Sequence, residues 1–560
     1  MLIGYVSDEN YVALLDAVLE FEAHGQPTAV ATSSPRGAVY ADVPSGEYRV
    51  TIAKAGYGSK TVEIFVTPDD LPYHFRLLSD NLYGYAWPKW VHAGESGEFR
   101  VNSPEAYHLA LWRYGQAKEL VRPIGWFDEH GPRAQIQILP DGDFTQTGVG
   151  WNGEGYNPAQ FRVVAPQRSG LYYFHVKTAS GKFLSFPWVV APAAPQSRVA
   201  VIASTNTWNA YNNFGGRSNY VNANKLPPWP TVNARQDLGR YNGTLRSVWE
   251  FRDDDYASLS FDRPEPFNHI PEDVRLNDPI RGRQACHLAE AEWRLLGWME
   301  REGFDYELYA DYQLHAGRLD LDAYDVVVIS THPEYWSRDA YVRLKRWVFE
   351  RGGKLMYLGG NGIDCEVELA DAATMRCRTW LPVAPGVPFV DPGTGKRFDC
   401  RFHHTFESPA ELLGVVFTKR GAGTSAPFRV VNADHWIYGG TTLKNGEVFG
   451  QNSLHERCPG GASGHETDKR TPASPPDAVV LARGTNVDDG GAEVVYFETP
   501  SGGAVFSVGS ITWPACVLVD AACSRITRSV LERMLAPSDR NSASSEGARS
   551  GASVTARGTR

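Results

Sequence analysis

Three short apolar runs, RVAVIAST (198–205), YDVVVIS (324–330) and KLMYLGG (354–360), constrain this chain more than any other feature. Each is the length of a strand, and none alternates apolar with polar residues, as a strand buried on both faces would not. Between and after them lie the helical patterns ACHLAEAEWRLLGWMEREG and SRDAYVRLKRWVFERGG. Strand alternating with helix predicts a mostly parallel sheet with crossover helices over 196–537. The second helix has an N-cap candidate in Ser337 and stops at Gly352 and Gly353.

The N-terminal third has a different rhythm. GAVYADVPSGEYRVTIAKAGYGSKTVEIFV alternates apolar residues and breaks at PSG and AGYGS, which predicts antiparallel strands over 1–77. The pattern resembles the small β-sandwich modules related to carboxypeptidase regulatory domains. Strand patterns with turns every dozen residues continue over 78–195 and predict a second β-sandwich, closed by the linker APAAPQS. The fold class expected is therefore two N-terminal β-sandwiches followed by an α/β domain. Residues 538–560, rich in Ser, Gly and Arg without periodicity, are expected to be a disordered tail.

Composition narrows the partners. With 55 basic against 65 acidic residues, the net charge of −10 opposes nucleic acid and anionic lipid and suits neutral or cationic small molecules. No run is long enough to cross a bilayer, and MLIGYVSDENYVALLD carries no basic and apolar leader, which predicts a cytoplasmic protein without membrane contact. The seven cysteines, never spaced as CxxC, fit reduced thiols. Sixteen Trp and 26 Tyr suit sandwich cores or a ligand-stacking surface alike.

Chemistry is expected beyond the carboxyl ends of the buried strands, where ligands of open α/β sheets collect. STHPEYW (330–336) closes one strand with His332 and Glu334 instead of turn residues. STNTWNAYNNFGGRSNY (204–220) follows the first strand with Tyr211, Gly215, Gly216 and Tyr220; Tyr256 and Glu466 come from later segments. Packing or surface is the ordinary role of any one of these residues, and only their coincidence at strand ends points to a site. HExxH, HxH and EF-hand patterns are absent. An amidotransferase-like domain would set a Cys or Ser on the sharp turn in YLGGNGIDC, but Asn361 occupies the bend and cannot be a nucleophile. Cys365 lies further on without an evident base, which ranks a cysteine hydrolase last.

NTWNAYNNFGGRSNY, FDRP, THPEYW, YLGGNG, GHETD and VFSVGSITW occur here in one order. In this the chain resembles the large (beta) subunit family of N,N-dimethylformamidase over about 196–537. The resemblance implies a class I glutamine amidotransferase-like domain that holds a mononuclear iron, Fe3+, in place of the lost nucleophile. It implies Tyr211 and Glu334 as metal ligands, with Tyr256 as the second tyrosinate and Tyr220 as the alternative. His332, Asn361, Glu466 and Phe506 are implied as pocket residues, and Arg378 is nearest to the family's pocket lysine. Two phenolates and a carboxylate would neutralise a ferric ion, since an uncompensated buried charge is costly. Glu466 would then act as general base, His332 and Asn361 would orient water and stabilise an oxyanion, and Phe506 would wall an alkyl group. The implied activity is hydrolysis of a small, N-alkylated amide or formamide. The implied partners are that substrate, a small companion subunit and further copies of the chain in a homo-oligomer. The competing expectation is a non-catalytic carbohydrate- or partner-binding protein using its aromatics.

Overall fold

The structure, a computed structural model, describes residues 1–128, 139–151, 162–232, 256–378, 397–418 and 420–537, with 389, 390 and 395 between them. The tail at 538–560 lies outside the described residues.

The buried runs assemble into one sheet of nine strands: β1 (Val199–Ala203), β2 (Glu307–Ala310), β3 (Val326–Thr331), β4 (Lys354–Gly359), β5 (Phe428–Val430), β6 (Val448–Phe449), β7 (Val479–Gly484), β8 (Glu493–Glu498) and β9 (Ala504–Ser507). Their order across the sheet is β2-β1-β3-β4-β9-β8-β7-β5-β6. From β2 to β9 every pairing is parallel. From β9 to β6 every pairing is antiparallel, so the expected mostly parallel sheet is parallel over its first five strands only. Turns too short for a crossover helix join β7 to β8 and β8 to β9, and such turns can only return antiparallel.

The apolar runs are continuous because both faces are covered. Val201, Val328 and Met356 face one core cluster, while Ile202, Val327 and Leu355 face another. Helices α1 (Thr205–Tyr211), α2 (Ala289–Arg301), α3 (Arg338–Arg351) and α4 (Ala521–Leu535) flank the sheet. Helix α3 starts where the sequence places it: Ser337 Oγ accepts from Ala340 N, and Gly352 closes it at φ 79°, a conformation that favours glycine.

Residues 2–76 form a four-stranded and a three-stranded sheet around their own apolar core. Residues 83–191 form a three-stranded and a five-stranded sheet around another. Both β-rich regions fit sandwiches. The second is fastened to the α/β part. Trp293 Nε1 of α2 donates to Gly115 O at 2.8 Å, Arg113 pairs with Glu300, and Leu308 N of β2 donates to Ser169 Oγ at 2.9 Å.

Candidate functional site

Strands β3 and β4 end side by side, and the backbone bends sharply just beyond both. Thr331 has φ 63° and Asn361 φ 51°, both in the left-handed region, and His465 in the facing loop has φ 67°. For a β-branched residue such as Thr331 this is a strained conformation, held only because its surroundings determine it. Gly360 lets the two loops meet: a Cβ there would stand 2.5 Å from Glu466 O. Helix α1 fixes the other side. Thr207 Oγ1 accepts from the backbone N of Glu334 (3.1 Å) and of Tyr335 (3.3 Å), so the helix that carries Tyr211 also holds the turn that carries Glu334.

The oxygens of three acidic side chains converge there. Tyr211 Oη lies 2.9 Å from Glu334 Oε2, Tyr220 Oη lies 2.9 Å from Tyr211 Oη, and Tyr220 Oη lies 2.9 and 3.1 Å from the two oxygens of Glu334. Tyr335 Oη donates to Tyr220 Oη at 2.8 Å and accepts from Asn219 Nδ2. The Tyr220 hydroxyl has one proton for three acceptors, more contacts than it can satisfy as a donor. Hard oxygen donors at such separations fit adjacent positions around one hard cation. Burial, and then the Glu334 charge, push both phenols well above the usual tyrosine range, so a phenolate forms here only against a strong positive charge. The donor set fits a ferric ion.

The two tyrosines brought to Glu334 are thus Tyr211 and Tyr220. Tyr256 packs into the main core, and its carbonyl accepts from Arg376 Nε. The resemblance that named Tyr256 carried no information about which way the chain turns after Gly215 and Gly216.

Beside the oxygens, His332 Nε2 lies 3.2 Å from Glu334 Oε2 and 3.0 Å from Glu466 Oε2. Asn361 Nδ2 donates to Glu466 Oε2 at 2.8 Å and lies 3.3 Å from His332 Nε2. His332 and Glu334 are almost fully buried, whereas the Glu466 side chain keeps 24% of its surface exposed and marks the open side. Burial raises both carboxyls; the His332 contact and charge outweigh it at Glu466, which ends below the usual range, while Glu334 ends above it. Two carboxylates with opposed shifts can divide the roles of proton acceptor and ligand.

Sequence reasoning missed the second histidine. His287 Nδ1 sits 2.9 Å from His332 Nδ1, and its ring meets Tyr211 edge to face. With Nε2 facing carboxylates, a neutral His332 keeps its proton there, so Nδ1 accepts and His287 donates. Beyond it, Cys458 N donates to His455 Nδ1, which leaves the His455 Nε2 proton to His465 Nδ1 at 3.2 Å. No motif spacing links positions 287, 332, 455 and 465, and only the fold joins them.

The cation nearest the cluster is Arg401, whose Nη1 lies 3.4 Å from Asp364 Oδ2, 3.7 Å from Glu334 Oε1 and 2.6 Å from Cys365 Sγ. Glu334, Asp364 and Cys365 could hold a metal by proximity alone. The guanidinium already pairs with that group, and burial pushes the Cys365 thiol up, so it suits neither a second ion nor a nucleophile. Arg378 is elsewhere, paired with Glu368 Oε1 at 2.6 Å with 42% of its side chain exposed. Phe506 is also outside the cluster. It lies mid-strand in register with Met356, fully buried, because β9 enters the sheet beside β4.

A family model described as N,N-dimethylformamidase beta subunit-like, C-terminal, matches residues 110–523. The chain belongs to this family. Its relatives include the N,N-dimethylformamidase beta subunits of Paracoccus aminophilus, 27% identical over 287 residues, and of Alcaligenes sp., 26% identical over the same length. Each match covers 44% of this chain and 36% of the relative, so the match spans little more than a third of these two relatives' length. Among solved structures, β-galactosidases from Rahnella sp. R3 and Bacillus circulans sp. alkalophilus are similar at 11% identity. They cover 44% and 45% of this chain and 27% and 29% of theirs. Their TM-scores of 0.25 and 0.27 carry no argument.

Proposed function

We propose that the chain hydrolyses a small, N-alkylated amide or formamide at an iron site formed by Tyr211, Tyr220 and Glu334, in an amidotransferase-like domain that lacks a nucleophile. One observation carries this reading: two phenols and a carboxylate within 2.9–3.1 Å of one another at the strand ends, beside the His332–Glu466–Asn361 group. Family membership supports it, and the relatives' names supply the substrate class and the companion subunit.

A ferric ion, when bound, supplies Lewis acidity toward water and an amide carbonyl. The protein supplies the rest. Tyr335 donates to Tyr220 Oη and so favours its anionic form. Glu466, on the open side, takes a proton from water as the new C–O bond forms at the carbonyl carbon. It returns that proton to the amine nitrogen as the C–N bond breaks, giving acid and amine. His332 donates to Glu466 through Nε2 and fixes its lone pairs. Among the described residues most aromatic side chains lie in cores, which favours the hydrolase reading over sugar binding.

Metal analysis of the purified chain, its visible spectrum and an amide panel test the reading together. Near-stoichiometric iron, a phenolate-to-iron absorption band and amide turnover are expected. Colourless, iron-free protein that hydrolyses amides at full rate would overturn it.

A further inference from the structure

Tyr220 reaches Glu334 only because the chain beyond helix α1 turns back, and residues of the first β-rich region hold that turn. Asn219 N donates to Ala210 O at 2.9 Å, which lays the segment on the helix it has just left. Arg76 ends the strand Tyr73–Arg76 and is fully buried. Its Nη2 donates to Gly215 O (3.2 Å) and Glu9 O (3.3 Å), its Nε to Asp8 O (3.1 Å) and its Nη1 to Gly142 O (2.8 Å). One guanidinium thus joins both β-rich regions to the turn before Tyr220. At Gly216, φ 88°, a Cβ would stand 2.5 Å from Tyr11 Cβ and 3.0 Å from Asn10 O, so the two loops are in direct contact. Beyond Tyr220, Tyr11 Oη donates to Pro227 O at 2.8 Å, Ala13 N to Thr231 O at 2.7 Å and Thr231 N to Tyr11 O at 3.0 Å. Tyr11 itself is buried at φ 62°, a conformation that a bulky residue keeps only where its surroundings impose it.

These contacts grip the segment 212–231 on both sides of Tyr220. Accepting Tyr220 as a ligand of the proposed iron, we infer that residues 2–76 are part of the metal site: Arg76 and the loop at 8–13 are positioning elements that aim Tyr220 at Glu334. A ligand on a loose loop must be ordered as the ion binds, at a cost in affinity. Here the ordering is built in beforehand. The family match begins at residue 110, so this support comes from outside the matched residues.

The test measures, on the full chain, iron affinity against a competing chelator, the visible band, and amide hydrogen exchange over 212–231 without iron. Arg76→Met is expected to lower iron affinity about 10- to 100-fold, the range for groups that orient a metal ligand, to shift the band and to speed that exchange. Arg76→Lys should recover part of each. Tyr11→Phe, which drops one hydroxyl and should fold even where Arg76→Met does not, should move all three the same way by less. Val50→Ala hollows the core of residues 2–76 away from the segment; it should lower the urea midpoint and leave iron affinity and band unchanged. Unaltered iron affinity and band in Arg76→Met and Tyr11→Phe, or an equal loss in Val50→Ala, would overturn the inference and leave the proposed hydrolysis standing. An unaltered chain that binds no iron would overturn both.

Discussion

Tyr220→Phe removes one oxygen and little else, and the structure sets the size of the effect. That oxygen lies 2.9 Å from Tyr211 Oη, 2.9 and 3.1 Å from the Glu334 carboxylate, and 2.8 Å from Tyr335 Oη. In iron-free protein the loss of a hydrogen bond to a charged group, with the Tyr335 proton left without its acceptor, is worth about 2–4 kcal/mol. For the proposed iron the loss would be larger, since one of its three neutralising charges would disappear. Changes merely behind a metal ligand cost about 10- to 100-fold in affinity, so at least 100-fold is expected for a ligand itself. The assay pairs iron stoichiometry and the visible absorption band with the urea midpoint, and Tyr256→Phe is the control. Tyr220→Phe should purify with under a tenth of the iron and a weakened band, while Tyr256→Phe keeps both. Full iron in Tyr220→Phe, or loss of iron in Tyr256→Phe, would refute the assignment and return the second ligand to Tyr256.

His287→Phe should lower kcat about 10- to 100-fold with little change in KM and a displaced pH profile, and His287→Asn, which keeps a donor near the Nδ1 position, should recover much of it. Arg401→Met leaves Asp364 buried without its ion pair and Glu334 with only His332 as a basic neighbour, and a loss of about 3–5 kcal/mol in urea unfolding is expected. Away from the site, burial, reinforced by Lys118, pushes His175 down to about 3. The unfolded chain therefore takes up a proton that the folded one refuses. Stability should fall by about 2 kcal/mol for this group between pH 7 and pH 5, from the usual histidine value near 6.5. His175→Phe should show a correspondingly flatter urea midpoint across that range.

The strands β1, β3 and β4 and helix α3 were legible because each is local: an apolar run, a serine cap, a terminal glycine. His332 and Glu334 were legible for the same reason, since a buried strand seldom ends in HPE without cause. The rest depends on contacts distant in sequence. Tyr220 sits opposite Glu334 because Gly215 and Gly216, at φ 106° and 88°, fold the segment back on helix α1, and no pattern encodes that direction. Arg401 and His287 arrive from segments with no motif of their own. Phe506 carried a pattern that fits a core strand as well as a pocket wall, and burial in the sheet decides for the core.

Helix α2 carries a consequence for anyone who would isolate the α/β part. Its Trp293 reaches across to Gly115, Glu300 to Arg113, and Gly297 sits so close to Leu276 and the Gly115 carbonyl that no side chain fits between. The seam is as close-fitting as a protein interior. Cutting the chain near residue 195 would strip an apolar flank from the very helix that brackets the strand ends. The geometry at the strand ends is therefore inherited in part from a region that contributes none of its groups, and a smaller working unit would need that flank rebuilt.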